Sequence, residues 1–287
     1  MNVVVSILFD GVAYAMILYV ISVGLSVTLG LMGFANLAHG AFAMIGGYAL
    51  TGLMNRWGVP FLPAVGVTFL IVGAIGAVLE RAVYRRLYGA GELDQVMLTI
   101  GLVFMSMALV SFVYGPQPQP VRLPAWLTGQ IEVLGRKFPT YRVFLIGAGG
   151  TIILGLWLGL ERTRFGTRVR AAVDSRRMAE AVGIDVDRLF TATFALGTGL
   201  AGVGGALGAD ILAPTPTYAI QHLVFFLIVV AVGGLGSLKG AFVAALLLGI
   251  VDNGGKYLFP EFGAFFIYAA MMALLLWRPA GLFGRRA

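Results

Sequence analysis

The feature that most constrains this chain is a series of long apolar segments separated by short polar ones. Hydrophobic residues occupy 59% of the 287 positions and charged residues only 11%, which leaves too little polar surface for a water-soluble globule. Several segments approach the roughly twenty apolar residues needed to cross the hydrocarbon core of a bilayer. The pattern predicts an all-α polytopic membrane protein of the cell (inner or plasma) membrane.

The apolar segments predict about eight or nine transmembrane helices. The candidate spans are 11–32, 36–54, 61–79, 93–114, 143–160, 191–213, 218–236, 240–256 and 262–277. The second and eighth are ambiguous, because polar residues interrupt them. We interpret residues 1–287 as a single transmembrane domain, with the first apolar run retained because it lacks the basic start of a cleavable signal.

The distribution of basic residues predicts the orientation. Segment 161–190, here called the cytoplasmic loop, contains seven arginines. With nine spans and this loop inside, 14 of the 20 Lys and Arg residues face the cytoplasm, as the positive-inside rule requires. The net charge of +7 therefore needs no nucleic-acid partner. The N-terminus and the external loop, residues 115–142, then lie outside, where alternation in "GQIEVLG" predicts a short hairpin.

The cytoplasmic loop is patterned rather than merely charged. In "RVRAAVDSRRMAEAVGI", small apolar residues among charges predict one or two short amphipathic helices. Asp174 or Ser175 is suited to cap a helix start, and Gly183 to end it. Two interpretations remain open. The helix docks on a motor subunit through Met and Ala side chains, or it binds anionic headgroups of the membrane lipid through its arginines.

Catalytic and cofactor motifs are missing from the sequence. The chain has no cysteine and two histidines, and neither a catalytic cluster nor a metal-ligand set is evident. The stretch "GGLGSLKG" retains a lysine but lacks the spacing and hydroxyl of a phosphate-binding loop. We expect no enzyme activity and no cofactor in this chain, so any ATP would bind to partner subunits.

The stretch "GLMGFANLAHGAFAMIGGY" places Asn36 and His39 within an apolar, glycine-rich segment. Polar groups in hydrocarbon are costly unless they face a cavity or another helix, and clustered glycines permit close packing or a break. Either these side chains line a translocation path or its gate, or they bond backbone carbonyls at a helix contact, which we favour slightly for His39. The candidate path residues are Asn36, His39, Gly40, Thr99 and Ser106, although a threonine such as Thr99 commonly bonds its own helix.

Several separated motifs resemble the permeases of branched-chain amino acid ABC importers of the Liv type. They are "FANLAHGAFAMIGGY", "LTIGL", "RFGTRVRAAVDSRRMAEAVGIDVDRLFTATFALGTGLAGVGGAL", "AVGGLGSLKGA" and "WRPAGLFGR". The resemblance covers most of the chain and is weakest in the external loop. It implies that residues near 174–184 form the coupling helix that receives the ATPase stroke, which comprises Asp174, Arg176, Arg177, Met178, Ala179, Glu180, Ala181 and Gly183.

The same resemblance implies the partners: two cytoplasmic ABC ATPase subunits, a homologous second permease or a second copy of this chain, and an extracytoplasmic solute-binding protein. The implied function is inward movement of branched-chain (aliphatic) amino acids, driven by ATP hydrolysis on the partners. An alternative is the same ABC class with urea, amides or other amino acids as substrate.

A stand-alone secondary carrier or channel is a further alternative, and a purely structural membrane subunit is another. A carrier predicts ion-coupling carboxylates in the middle of spans. The acidic residues nearest the spans lie close to predicted ends instead: Asp10, Glu80, Asp94, Asp210 and Asp252. Asp252 also has an expected partner in Lys256, four residues further along the same helix.

Overall fold

The computed structural model describes residues 2–32, 36–133, 136–263 and 265–284. Within those residues the fold is helical, with one small hairpin. The α-helices are α1 (Asn2–Met32), α2 (His39–Trp57), α3 (Phe61–Ala82), α4 (Glu92–Tyr114), α5 (Thr140–Glu161), α6 (Arg164–Asp174), α7 (Arg176–Ala181), α8 (Val186–Gly208), α9 (Tyr218–Gly233), α10 (Leu238–Leu258) and α11 (Phe265–Trp277). Short 3₁₀ helices cover Tyr84–Leu87 and Pro260–Phe262.

Six helices are long and apolar enough to cross a membrane, namely α1, α3, α4, α5, α8 and α10. The all-α polytopic fold class is therefore confirmed. Each of the other three predicted spans also contains a helix, but α9 and α11 have only 16 and 13 residues, and α2 carries His39, Asn55 and Arg56 at its ends. The count of eight or nine spans stays a prediction.

Two predicted spans differ from the helices by five residues or more at an end, and the others agree to within three residues. The first span was expected to begin at residue 11, but α1 begins at Asn2, because Asp10 forms an ion pair with Arg142 on α5 and does not end the helix. The sixth span was expected at 191–213, whereas α8 covers Val186–Gly208. Asp185 sets that earlier start, since its side chain accepts a hydrogen bond from the backbone N–H of Arg188 at 3.0 Å.

Helix α8 lies at the centre of the bundle, in contact with α1, α2 and α3. Every residue from Gly197 to Gly208 is buried, and the glycines and alanines among them let neighbouring backbones approach closely. A Cβ on Gly197 would lie only 2.9 Å from the carbonyl oxygen of Gly24 on α1. Side chains of ordinary size are therefore excluded from this contact.

The external loop contains the predicted hairpin. Strands β1 (Gln130–Val133) and β2 (Arg136–Pro139) pair antiparallel, with Ile131 opposite Phe138. Two hydrogen bonds attach the loop to the bundle, from Asn55 Nδ2 to the Pro120 carbonyl at 3.2 Å and from the Gln119 N–H to the Pro214 carbonyl at 3.0 Å. We call this end of the bundle the outer end and the opposite end, which carries α6 and α7, the inner end.

Candidate functional site

The cytoplasmic loop folds into two short helices with well-defined ends. Ser175 caps α7, since its hydroxyl accepts a hydrogen bond from the Met178 N–H at 3.4 Å. Gly183 follows α7 with a φ of +83°, a left-handed conformation that glycine adopts without strain. The predictions of a cap at Asp174 or Ser175 and of a terminating Gly183 are confirmed. Asp174, proposed as part of the coupling helix, instead ends α6.

Helix α7 presents an apolar surface to solvent. Ala179 is buried against Val186 and Leu189 of α8, which fixes the helix on the bundle. In contrast, Met178 and Val182 are 70% and 76% exposed. Met178 and Val182 are therefore uncovered apolar side chains on an otherwise charged segment.

Ion pairs connect α7 to the start of α8. Arg176 Nε lies 2.9 Å from Glu180 Oε1, and Arg176 Nη2 lies 2.8 Å from Asp187 Oδ1. The hydrogen bond to Glu180, together with the nearby charge of Asp187, raises the pKa of the Arg176 guanidinium above its usual value. The charged form of Arg176 therefore holds both carboxylates.

The same network continues to the inner end of α3. Asp187 Oδ2 lies 3.4 Å from Arg85 Nη1, and Arg85 Nε lies 3.5 Å from Glu80 Oε1. The fully buried Glu80 carboxylate also accepts hydrogen bonds from Thr191 Oγ1 at 2.6 Å and from the Tyr88 hydroxyl at 2.9 Å. A buried carboxylate is stabilised only by such multiple partners.

The 3₁₀ helix Tyr84–Leu87 connects this network to the start of α2. Tyr84 is fully buried, and its hydroxyl donates to Asn36 Oδ1 at 3.1 Å. The same oxygen accepts a hydrogen bond from the Ala38 N–H at 3.1 Å, one residue before α2 begins. Asn36 therefore fixes the break that precedes α2 and ties it to the segment that carries Arg85.

His39 points into helix packing. It is fully buried, and its Nε2 lies 2.8 Å from the Ile21 carbonyl oxygen on α1. Gly40, the next residue, faces α9, where an added Cβ would lie 2.6 Å from the Ala219 carbonyl oxygen. The structure therefore agrees with the interpretation in which His39 bonds a backbone carbonyl at a helix contact.

A cavity of about 850 Å³ lies between α2, α3 and α4. Its wall is aliphatic and aromatic, with Phe42 and Tyr48 on α2, Ile75 on α3 and Leu102 on α4. Tyr84 lines it as well, beside the break before α2. Among the described lining residues none is charged, so the cavity suits an apolar or net-neutral solute.

Only some of the candidate path residues lie at this cavity. Ser106 lines it and donates its hydroxyl to the Val103 carbonyl at 2.7 Å, and Asn36 reaches it through Tyr84. Thr99 is fully buried and bonds the Gln95 and Val96 carbonyls of its own helix, each at 3.0 Å. His39, Gly40 and Thr99 are not among the lining residues.

Sequence reasoning missed the tyrosines of the cavity wall and the partners of Glu80. Tyr48, Tyr84 and Tyr114 are its aromatic hydroxyls, and only tyrosine's general preference for sites with one apolar and one polar side could have suggested them. Thr191 lies 111 positions from Glu80, and no local spacing rule pairs the two residues.

Comparison with known proteins gives a consistent result. The family described as "Branched-chain amino acid transport system / permease component" matches residues 7–275. The high-affinity branched-chain amino acid transport system permease protein LivH of Salmonella typhimurium is 26% identical, over 97% of this chain and 94% of LivH. BraD of Pseudomonas aeruginosa, a permease protein of the same description, is 27% identical over 97% of this chain and 95% of BraD.

A solved structure shares the fold. A chain of PsaBC from Streptococcus pneumoniae, in complex with Fab, superimposes with a TM-score of 0.53 at 14% identity. The match covers 93% of this chain and 88% of that one. At this identity the likeness concerns the helical arrangement alone.

Proposed function

Because the chain belongs to the branched-chain amino acid transport permease family, we propose that it is the membrane-spanning subunit of a binding-protein-dependent ABC importer for branched-chain amino acids. The family is one of transport permeases, not of catalytic enzymes, and the chain is a multi-pass protein of the inner membrane. ATP hydrolysis on separate subunits drives the transport we propose.

The observation that carries the proposal is the continuous set of contacts from α7 to the cavity. Arg176 and Asp187 connect α7 to Arg85, and Tyr84, one residue before Arg85, bonds Asn36 at the start of α2. A displacement of α7 by an ATPase subunit therefore acts on the segment that closes the inner end of the cavity. The exposed Met178 and Val182 supply the docking surface.

This proposal includes nine membrane crossings, with α2 and α9 among them. Helix α2 begins beside Tyr84 at the inner end and ends near Asn55, which bonds the external loop at the outer end. Helix α9 follows Pro214 at the outer end, and beyond its other end Lys239 Nζ lies 3.6 Å from Glu161 Oε1, next to α6 at the inner end. These shorter helices therefore connect the same two ends as the six long ones.

A second permease, either a homologue or a copy of this chain, completes the cavity in our proposal. Helix α4 forms one wall of it, yet its apolar side chains are largely uncovered: Met105, Leu109 and Phe112 are 68%, 64% and 89% exposed. A homologous helix packed there would enclose the solute. Lipid covering the same face would leave the cavity open.

The cavity wall favours aliphatic amino acids without selecting strongly among them. A solute must leave as well as enter, so weak apolar contact suits a pathway whose substrate is chosen by an external binding protein. Urea, amides or other amino acids are the alternative substrates. A secondary carrier is less well supported, because Glu80 is paired with Arg85 and Asp252 with Lys256, at 3.5 and 2.6 Å.

The decisive experiment purifies the chain from its native membrane under mild conditions and identifies what remains bound. We expect two ATPase subunits, a second permease, and ATP-dependent uptake of leucine into proteoliposomes when the cognate binding protein is added. A chain that is recovered alone and transports leucine along an ion gradient would instead establish a secondary carrier.

A further inference from the structure

A second cavity lies at the outer end, between α1, α5 and α10, with a volume of about 230 Å³. It shares no lining residue with the large cavity between α2, α3 and α4. Its volume is below the roughly 300–1,000 Å³ of pockets for drug-sized ligands, which restricts an occupant to a small metabolite. This site is therefore separate from the proposed translocation path.

Charged groups of both signs line this outer cavity. Asp10 on α1 forms an ion pair with Arg142 on α5, and Lys256 Nζ lies 2.6 Å from Asp252 Oδ2 on α10. The Lys256 ammonium also lies 5.8 Å from the centre of the Tyr14 ring. Two carboxylates and two cations thus converge on one small volume with no net charge.

One of these groups lacks a partner on one side. Asp252 is only 2% exposed, and among the described residues its Oδ1 has no hydrogen-bond partner. A buried carboxylate oxygen left without a donor is destabilising, because it has lost its hydrogen bonds to water. Asp252 also lines the cavity, so a donor that enters the cavity lies beside this incompletely paired carboxylate.

The remaining walls restrict what that donor can belong to. A simple cation approaching Asp252 would meet Lys256 and Arg142, and a simple anion would meet Asp10 and Asp252. A molecule with one ammonium and one carboxylate complements both signs. Ile211 and Leu212 also line the cavity and offer apolar contact to a short side chain.

We propose that the outer cavity binds an aliphatic α-amino acid as its zwitterion. The ammonium of the ligand pairs with the Asp252 carboxylate, its own carboxylate lies toward Lys256 and Arg142, and its side chain contacts Leu212. This second site goes beyond the proposed import function and does not depend on ATP.

The test measures binding of radiolabelled leucine by equilibrium dialysis to the membrane complex purified through this chain, in nanodiscs and with no binding protein present. Competition by 4-methylpentanoate, which lacks the ammonium, and by 3-methylbutylamine, which lacks the carboxylate, should be at least about tenfold weaker than by leucine. Tighter binding of the amine than of leucine would identify a cation site and overturn the proposal.

Variants locate the bound leucine. Asp252→Asn should weaken leucine binding at least about tenfold, whereas Glu261→Gln, a matched change at an exposed outer position, should leave it unchanged. Leu212→Ala removes only apolar wall, so it should weaken leucine more than glycine even if Asp252→Asn fails to fold.

Two results would overturn the site. They are no leucine binding to the wild-type complex at millimolar concentrations, and binding that neither the Asp252 nor the Leu212 variant changes. Loss of the ATPase subunits during purification would count against the import function and would leave this measurement unaffected.

Discussion

Asp187 is the residue that connects α7 to Arg85 through ion pairs. Its two carboxylate oxygens bridge Arg176 on α7, at 2.8 Å, and Arg85, at 3.4 Å. Asp187→Asn keeps the size of the side chain but removes the charge that attracts both guanidinium groups. The Asp187 carbonyl still accepts hydrogen bonds from Arg85 and Thr191, so the backbone at the start of α8 should stay in place.

The expected effect is small for stability and measurable for transport. The Asp187 side chain is 47% exposed, and ion pairs in such positions contribute about 0.2–1 kcal/mol each. Loss of both pairs therefore weakens the link from α7 through Asp187 to Arg85 by about 1 kcal/mol, which is a factor of about five in an equilibrium constant. We expect about fivefold less leucine transported per ATP hydrolysed.

The assay reconstitutes the complex in proteoliposomes and measures leucine uptake and ATP hydrolysis in the same preparation. Asp185→Asn is the matched control, because Asp185 lies two residues away and pairs only with Arg188, at 2.9 Å, among the ion pairs of the described residues. Asparagine also preserves its capping role, so uptake per ATP should equal that of the wild type.

A refuting result is specific. Equal uptake per ATP in the Asp187 and Asp185 variants would show that the bridge does not carry the motion of α7. A double-mutant cycle with Arg176→Gln extends the test, since a coupling energy of zero in transport would mean that Arg176 and Asp187 act independently.

Three further predictions concern packing, helix termination and orientation. Gly40→Leu should lower the unfolding temperature, because overpacking against α9 costs about 1–3 kcal/mol. The control Gly147→Leu should leave the unfolding temperature unchanged, because nothing lies within 4 Å of a Cβ at that position. Equal melting curves for the two variants would contradict the close contact at Gly40. Gly183→Val should reduce co-purification of the ATPases, since a β-branched residue is strained at a φ of +83°, and undiminished recovery would mean that the end of α7 is not needed for docking. Because the chain has no cysteine, Ser175→Cys and Glu132→Cys can be labelled singly with an impermeant maleimide, and only the latter should react from outside; the reverse pattern would invert the topology.

Local rules made the cytoplasmic loop predictable from sequence. Ser175 caps α7 and Gly183 ends it because both effects depend on backbone groups within a few residues. The pairing of Asp252 with Lys256 was predictable for the same reason, since four residues are about one helical turn.

Long-range contacts were not predictable in this way. Glu80 and Thr191 are 111 positions apart, and nothing in the local sequence of either residue indicates the other. The start of α1 was misplaced for a related reason, since an Asp within an apolar run is compatible with a helix when a distant Arg142 neutralises it.

The glycine-rich surface of α8 has a mechanical consequence. Where side chains interdigitate, one helix slides along another only if rotamers change on both, and this resists movement. Between Gly197 and Gly24 the two backbones meet without side chains between them, so a small axial shift meets a low steric barrier. Helix α8 begins five residues after α7 ends. Helix α8 is therefore placed to move when α7 moves, and its glycine surface suits a shear motion along α1 rather than bending.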